Sequence, residues 1–487
     1  MMEETRRPGQ QERGLRRELR FWEAIALSIA IMAPGAAMAL NGTATAGLVG
    51  RAVPLVFVLA TVSILFVSYA FIRLTSYFNH AGSVYALSGA TLGPRAGFFS
   101  GWALLGTYLC FTAGSTAEVG LFGQEFLAST DLPEVDWLVI ALIAAALIWL
   151  LAYGDVRVIT RALLSMEGLT VALILVLVVV IFTRIFGGGA PGDQEFTLSA
   201  FALPGGVDFG RVGLATVFGI LAFAGFEGAA SLGEETDNPR RNIPRAIAAA
   251  VVTMGVFYVI VMLAQTLGFG VDEAGTEKFA GASSPLGELS TDYIGPGMAA
   301  AINFGVMVSA FASALGTATA GSRMLFALCR DGFLSRRLGD TSPRTGAPAN
   351  ALAAVMVIGI TTFVVLRVGG VSAVNAFFYP ATVGVLTLLV AYIVTNAGAL
   401  RFLFLSRRVP TWEAVFPMIG LAILIYVIYK NVYPPPDFPF NIFPYIAGAW
   451  ILVGLGSVLL VPGLARRIGA NLAASEGMAA EGVRGPT

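Results

Sequence analysis

Histidine and cysteine are almost missing from this chain of 487 residues. It holds one histidine, His80, and two cysteines, Cys110 and Cys329. A zinc or haem site built on histidines is thereby excluded. Both cysteines fall inside apolar segments, with neither a disulfide framework nor metal-ligand spacing. Charge is scarce too: Asp, Glu, Lys and Arg make up 12% of the residues and sum to zero, whereas soluble proteins carry about 25% charged residues. No nucleophile motif or acid–base cluster stands out, so an enzyme, a metal site and a nucleic-acid partner are not expected. What fills the chain is apolar sequence, 56% of residues, in repeated runs longer than the ~18 residues that mark membrane helices. Lipid is therefore an expected partner of an all-α membrane protein.

Twelve apolar segments are expected near 22–46, 53–72, 95–127, 136–153, 160–186, 208–232, 244–270, 296–329, 350–367, 371–399, 411–430 and 441–462. An even number places both termini on one side. Arginine placement decides which side, because short cytoplasmic loops carry the excess of Lys and Arg. The first tail carries Arg6, Arg7, Arg13, Arg16, Arg17 and Arg20, and the even-to-odd loops carry Arg73, Arg157, Arg240, Arg337 and Arg407 among others. The opposite loops hold few cations and several acids, Asp136 and Asp272 among them. Both termini are expected to be cytoplasmic, in a multi-pass plasma-membrane protein. Residues 1–20 and 468–487 read as tails, 21–200 and 201–400 as two units of five spans each, and 401–467 as two extra spans. The Arg-rich start is unlike a signal peptide because its apolar run is too long and eleven more follow.

Two of these segments are interrupted. In the sixth, Leu214 to Pro244, the apolar helix loosens at Ala224-Gly225-Phe226-Glu227-Gly228 before a polar run with Glu234, Glu235, Arg240 and Arg241. In the first, Pro34-Gly35 falls near the middle; proline removes a backbone hydrogen bond and glycine tolerates the released conformation. Taken alone, the first reads equally well as a plain proline kink. Irregular backbone or a charge inside lipid is sustained only where it is buried in protein or lines a cavity. Two breaks five spans apart point to a transporter of inverted repeats with its substrate site between them. Glu227 is either a proton carrier, an amine partner or a cap on loose amides. Glu118 and Glu167 either meet a cationic substrate or a proton, or are bonded quietly to a neighbouring helix. Tyr108, Phe111, Phe377 and Tyr379 are either pocket walls or core.

Three motifs carry a family likeness. The first is Asn79-His80-Ala81-Gly82-Ser83-Val84-Tyr85 with Leu92-Gly93-Pro94 and Gly97-Phe98-Phe99-Ser100-Gly101-Trp102. The second is Gly225-Phe226-Glu227 with Glu234-Glu235, Asn238-Pro239-Arg240 and Ile243-Pro244. The third is Ser322-Arg323-Met324-Leu325-Phe326-Ala327 with Arg330-Asp331-Gly332. In this order, over roughly residues 20–400, the chain resembles the amino acid–polyamine–organocation permeases of the bacterial amino acid permease type. They share the five-plus-five inverted-repeat fold of the sodium-coupled leucine transporter. The resemblance implies a substrate carboxylate held by amides at Ala33, Pro34, Gly35, Ala36 and Ala37. It implies a substrate amine held by carbonyls at Phe223, Ala224, Gly225 and Phe226. A helix N-terminus suits an anion and a C-terminus a cation.

The chain departs from the family pattern in three places. The first break reads Pro34-Gly35-Ala36-Ala37 where many relatives have Gly-Ser-Gly. Leu221 stands where many relatives have an aromatic gate. No lysine occupies the fifth span, where Thr170 falls close to the position of that residue in proton-coupled relatives. Thr170, Ser309 and Ser313 either line a sodium site or simply bond to backbone, so Na+ and H+ both stay open as coupling ion, with no cofactor otherwise. The expected activity is secondary active uptake of a neutral amino acid by alternating access. A polyamine or cationic amine permease or exchanger is the alternative, and a membrane sensor that binds an amino acid without flux is an alternative of another class.

Overall fold

The computed structural model describes residues 21–460 and 463, apart from 79–83, 131, 154–156, 193, 233–235, 331–332, 334 and 343–347. Among the described residues every regular element is helical. Nine apolar helical stretches are long enough to cross a membrane. The first, Phe21–Thr75, comprises three helices: α1 (Phe21–Ile31), α2 (Pro34–Val49) and α3 (Val53–Thr75). A short helix α4 (Val84–Leu92) leads into α5 (Pro94–Ser129), followed by α6 (Trp137–Tyr153) and α7 (Arg157–Phe186). Then come α8 (Phe209–Ala222), a 3-10 turn over Phe226–Leu232, α9 (Pro239–Phe269), α10 (Glu273–Gly281), α11 (Pro285–Tyr293) and α12 (Pro296–Arg330). The chain closes with α13 (Ala349–Val368), α14 (Ala373–Ala399), α15 (Val415–Val432) and α16 (Phe443–Leu460). Two apolar helices, α6 and α8, are shorter than the other nine stretches. At 14 residues α8 rises only about 21 Å, and the 3-10 turn beyond Gly225 continues its path.

The long helix α5 lies at the centre, packed on α12, α14, α4 and α6. Its glycines allow the close approach: at Gly120 a side chain would run into the Trp137 carbonyl of α6, and at Gly114 into the Phe377 carbonyl of α14. The helices α6, α7 and α16 turn apolar residues outward, with Leu150, Val179 and Leu452 all more than half exposed, as a lipid-facing surface requires. Inside, Phe57, Phe71, Phe98, Tyr258 and Tyr392 are fully buried.

Three expected boundaries move. The ninth helix begins at Pro239 rather than near 244, because Asn238 takes a left-handed turn (φ 44°) and Pro239 suits the first helical position. Arg240, Arg241 and Arg245 therefore sit on its first turns and not in a loop. The stretch between the expected seventh and eighth spans folds into α10 and α11, each opened by proline or an Asp272 cap onto the Gly275 amide. Beyond Ala399 the tenth segment continues as a π-helical turn, Leu400–Leu405.

Candidate functional site

Both interruptions are real breaks in helical backbone, and they touch. The first helix ends at Ile31, Ala33 adopts a left-handed conformation (φ 45°), and α2 restarts at Pro34. A non-glycine residue at positive φ costs on the order of 1–3 kcal/mol and persists only where its surroundings impose it. The eighth helix ends at Ala222, and Gly225 turns with φ 101° into the 3-10 segment. A Cβ on Gly225 would lie 2.6 Å from the Ile31 Cγ2 and 3.3 Å from its carbonyl carbon. The end of α1 is thus seated directly on the break after α8, and only glycine permits it.

Restarting a helix inside the bundle leaves amide donors without intrahelical partners. Pro34 has no N–H. The Gly35 amide donates to Glu167 Oε1 at 2.8 Å, the Ala36 amide donates to Ser309 Oγ at 3.0 Å, and the Ala37 amide returns to the Ala33 carbonyl at 2.9 Å. A carboxylate from α7 and a hydroxyl from α12 therefore cap the N-terminus of α2. Thr170 packs behind them. Its methyl lies 2.8 Å from where a Cβ on Gly35 would stand, while its hydroxyl donates to the Met166 carbonyl at 2.9 Å. Ser313 pairs with Ser115 of α5 at 3.0 Å, one turn away. Beside the capped amides, Ala33, Ala36, Val119, Ala144 and Ala310 form a small apolar cluster.

Two acids face this region from the interior. Glu167 is 5% exposed and Glu118 1%. Among the described residues, Glu167 Oε2 and Glu118 Oε1 have no hydrogen-bond partner. The two carboxylates lie within electrostatic reach of each other, and the Tyr258 hydroxyl within reach of Glu167.

The second break is braced by aromatics, of which Phe71, Tyr258 and Tyr392 were not singled out from the sequence. Tyr392 of α14 donates to Glu227 Oε2 at 2.7 Å, and Tyr258 of α9 donates to the Ala222 carbonyl at 2.8 Å, closing the end of α8. Phe71, Phe226 and Tyr392 meet pairwise at 5.2–5.4 Å between ring centroids. The Phe223 ring packs edge-on against Tyr258. The carbonyls of Phe223 and Gly225 already accept from the amides of Phe226 and Gly228. Tyr108 lies within electrostatic reach of Glu227, whereas Tyr379 packs edge-on against Phe440 and at a tilt against Phe443. Leu221 is buried in the last turn of α8.

The structure thus gathers Ala33 to Ala37, Thr170 and Ser309 around the first break, and Phe223 to Glu227 around the second. Ser313 belongs to the α5–α12 seam. Glu167 and Ser309 lie 132 and 273 residues from the amides they cap, and no local pattern announces such a pairing; the one signal is an acid in an apolar span. Asn79 to Ser83, with His80, and also Glu234, Glu235, Asp331 and Gly332, lie outside the described residues. Arg240, Arg241 and Arg323 are exposed. At the arginine-rich end, Tyr69 and Arg73 both donate to Glu413, tying α3 to the approach of α15. At the other end Arg367 pairs with Asp136 at 2.7 Å and holds its carboxyl below the usual range.

A bundle of apolar helices whose two interrupted segments meet in its interior is the architecture of a multi-pass membrane transporter. The amino acid permease family model matches residues 25–454, and the chain belongs to that family. It is 27% identical over 351 residues to a cationic amino acid transporter 3, mitochondrial, of Arabidopsis thaliana, with 69% of this chain and 55% of that protein aligned. It is 29% identical over 353 residues to a branched-chain amino acid permease of Bacillus subtilis, covering 69% and 72% of the two chains. An uncharacterized transporter of Mycobacterium tuberculosis is 24% identical over 413 residues, covering 80% and 84%. The match spans only about half the length of the plant transporter.

Proposed function

We propose that this protein carries an amino acid across the plasma membrane by alternating access, with both termini cytoplasmic. Its described helices are read as twelve crossings: α1 with α2, α3, α5, α6 and α7 as one five-span repeat, then α8 with the 3-10 turn, α9, α12, α13 and α14 as its inverted counterpart, and α15 and α16 as additions. The observation that carries the reading is the contact of the two breaks, Ile31 against Gly225, with the amides of the first break held by side chains that can let go. The amino group would lie at the end of α8, near Glu227 and Tyr108. The carboxylate would take the amides of Gly35 and Ala36.

The family names among relatives divide between branched-chain and cationic substrates. Small apolar walls at the first break, Ala33, Ala36, Val119, Ala144 and Ala310, favour a neutral side chain. Glu118 Oε1 and Glu167 Oε2, without a hydrogen-bond partner among the described residues, are the observation favouring a cationic amino acid or polyamine instead.

The coupling ion is proposed to be a proton on Glu167. For a substrate carboxylate to reach the Gly35 amide, Glu167 has to leave it. An ionised carboxylate stripped of donors inside the membrane costs several kcal/mol, so Glu167 leaves as the neutral acid and each substrate bound brings one proton. The Thr170 hydroxyl donates to the Met166 carbonyl and the Ser313 hydroxyl pairs with Ser115; their remaining oxygen lone pairs keep sodium as the alternative coupling ion. Uptake into proteoliposomes of leucine, arginine and putrescine, with imposed proton or sodium gradients, tests the whole reading. Accumulation of leucine driven by a proton gradient is the expected result. Accumulation driven only by sodium overturns the coupling, and arginine or putrescine alone overturns the substrate class. Flux of none of them, with binding retained, favours a sensor.

A further inference from the structure

An apolar groove of about 360 Å3 runs along the outer surface between α3, α9 and α15. Its walls are Val62, Leu65 and Phe66 of α3, Ala248 and Val252 of α9, and Phe416 of α15. Val62, Leu65 and Val252 are 42%, 40% and 51% exposed, so the groove opens sideways to the bilayer. The two walls run antiparallel: Gly255 of α9 meets Thr61 of α3, while Ala248, earlier on α9, shares the groove with Tyr69 and Ile72, later on α3. The end of α3 therefore lies beside the start of α9, at the arginine-rich end of the bundle.

Helix geometry decides what stands over the mouth. Arg241, Arg245, Ala248 and Val252 are spaced four, three and four residues apart, which places them on one stripe of α9. Both arginines are exposed, and among the described residues neither has an ion-pair partner. From Arg241 to Val252 the stripe rises about 16 Å, close to the ~15 Å depth of one leaflet's hydrocarbon. Arg73, on the α3 side, is already held by Glu413. Tyr69 stacks on Phe416 at 5.0 Å, and Trp412, 67% exposed, packs edge-on against the same ring. A tryptophan at that level marks the boundary between headgroups and acyl chains.

We propose that this groove is a binding site for one anionic phospholipid, with an acyl chain between α3, α9 and Phe416 and the phosphate on Arg241 and Arg245. The two exposed guanidinium groups at the mouth select against a zwitterionic lipid, whose ammonium would face them. The apolar depth separates the ligand from a soluble phosphate, which would have nothing to fill it. An occupied groove also fastens α9 and α3 to α15 on the face away from the two breaks.

The test is native mass spectrometry of the delipidated full-length protein after adding back phosphatidylglycerol or phosphatidylcholine. One phosphatidylglycerol is expected to be retained under conditions that strip phosphatidylcholine. The double variant Arg241→Gln/Arg245→Gln should weaken that retention about thirtyfold, from two arginines near the headgroup layer. Val252→Trp, which keeps both arginines and fills the groove, should lose it as well. All three substitutions fall on exposed positions, and unchanged thermal unfolding shows that the variants are folded. Equal retention of the two lipids overturns the proposal, as does a double variant that holds phosphatidylglycerol like the parent. Loss in the double variant with full retention by Val252→Trp overturns the groove in favour of unspecific charge attraction. The readout is lipid retention, so it stands whether or not any amino acid is carried.

Discussion

Glu167→Gln is the substitution that separates a structural cap from a proton site. Glutamine has nearly the same shape, and its carbonyl oxygen can still accept from the Gly35 amide that Glu167 meets at 2.8 Å. The fold should hold. What changes is the strength of the cap and its chemistry. A hydrogen bond to a charged group contributes about 1.5–3 kcal/mol and a neutral one about 1, so the cap weakens by on the order of 1 kcal/mol. A substrate carboxylate competing for that amide should then bind roughly fivefold more tightly. Glutamine takes up no proton, so accumulation driven by a pH gradient should vanish while exchange of labelled for unlabelled substrate persists. Proteoliposomes report both, by uptake against an imposed pH gradient and by counterflow without one. Glu167→Gln that still accumulates substrate on a proton gradient refutes the proton assignment. Tighter binding with normal accumulation would leave Glu167 as a cap alone. Glu167→Ala is the contrasting variant. It leaves the buried Gly35 amide without its acceptor, at a cost of about 1–3 kcal/mol, and should lower the thermal midpoint in detergent.

Other substitutions test the second break and the ends. Gly225→Ala meets both a φ of 101° and Ile31 at 2.6 Å, and should destabilise by at least ~1–3 kcal/mol and abolish uptake; unchanged unfolding would mean that α1 does not rest there. Tyr392→Phe removes the hydroxyl on Glu227 and should reduce uptake with little change in expression, whereas Glu227→Ala should abolish it; full uptake by a well-expressed Glu227→Ala removes that residue from the site. The Asp136 carboxyl is depressed, chiefly by its hydrogen bond from Arg367. A depressed acid adds stability that is present above its unfolded value, near 3.9, and is lost as the pH falls through the folded value. Parent and Asp136→Asn unfolding curves should therefore differ at neutral pH, begin to approach each other below about pH 4, and converge only below the depressed folded value. The difference should be small because both side chains are exposed to solvent.

Apolar run length identifies the chain as a membrane protein, because the bilayer imposes a minimum length on every helix that crosses it. The positions of both breaks were likewise legible: proline and glycine act on their own backbone, and Pro34 and Gly225 interrupt their helices where their chemistry says they should. The acids Glu118, Glu167 and Glu227 stood out because charge is rare in such spans. The start of α9 at Pro239 was missed because polar arginines resemble a loop, although the proline ahead of them is a helix-start signal. What the amino acids could not announce one at a time was partnership. That Glu167 and Ser309 cap the first break, that Tyr392 holds Glu227 across 165 residues, and that Ile31 rests on Gly225 follow from how the helices are set against one another. Local periodicity determines which face of a helix is apolar; only packing in three dimensions decides which buried donor meets which acceptor, since in lipid each must find its partner within the protein.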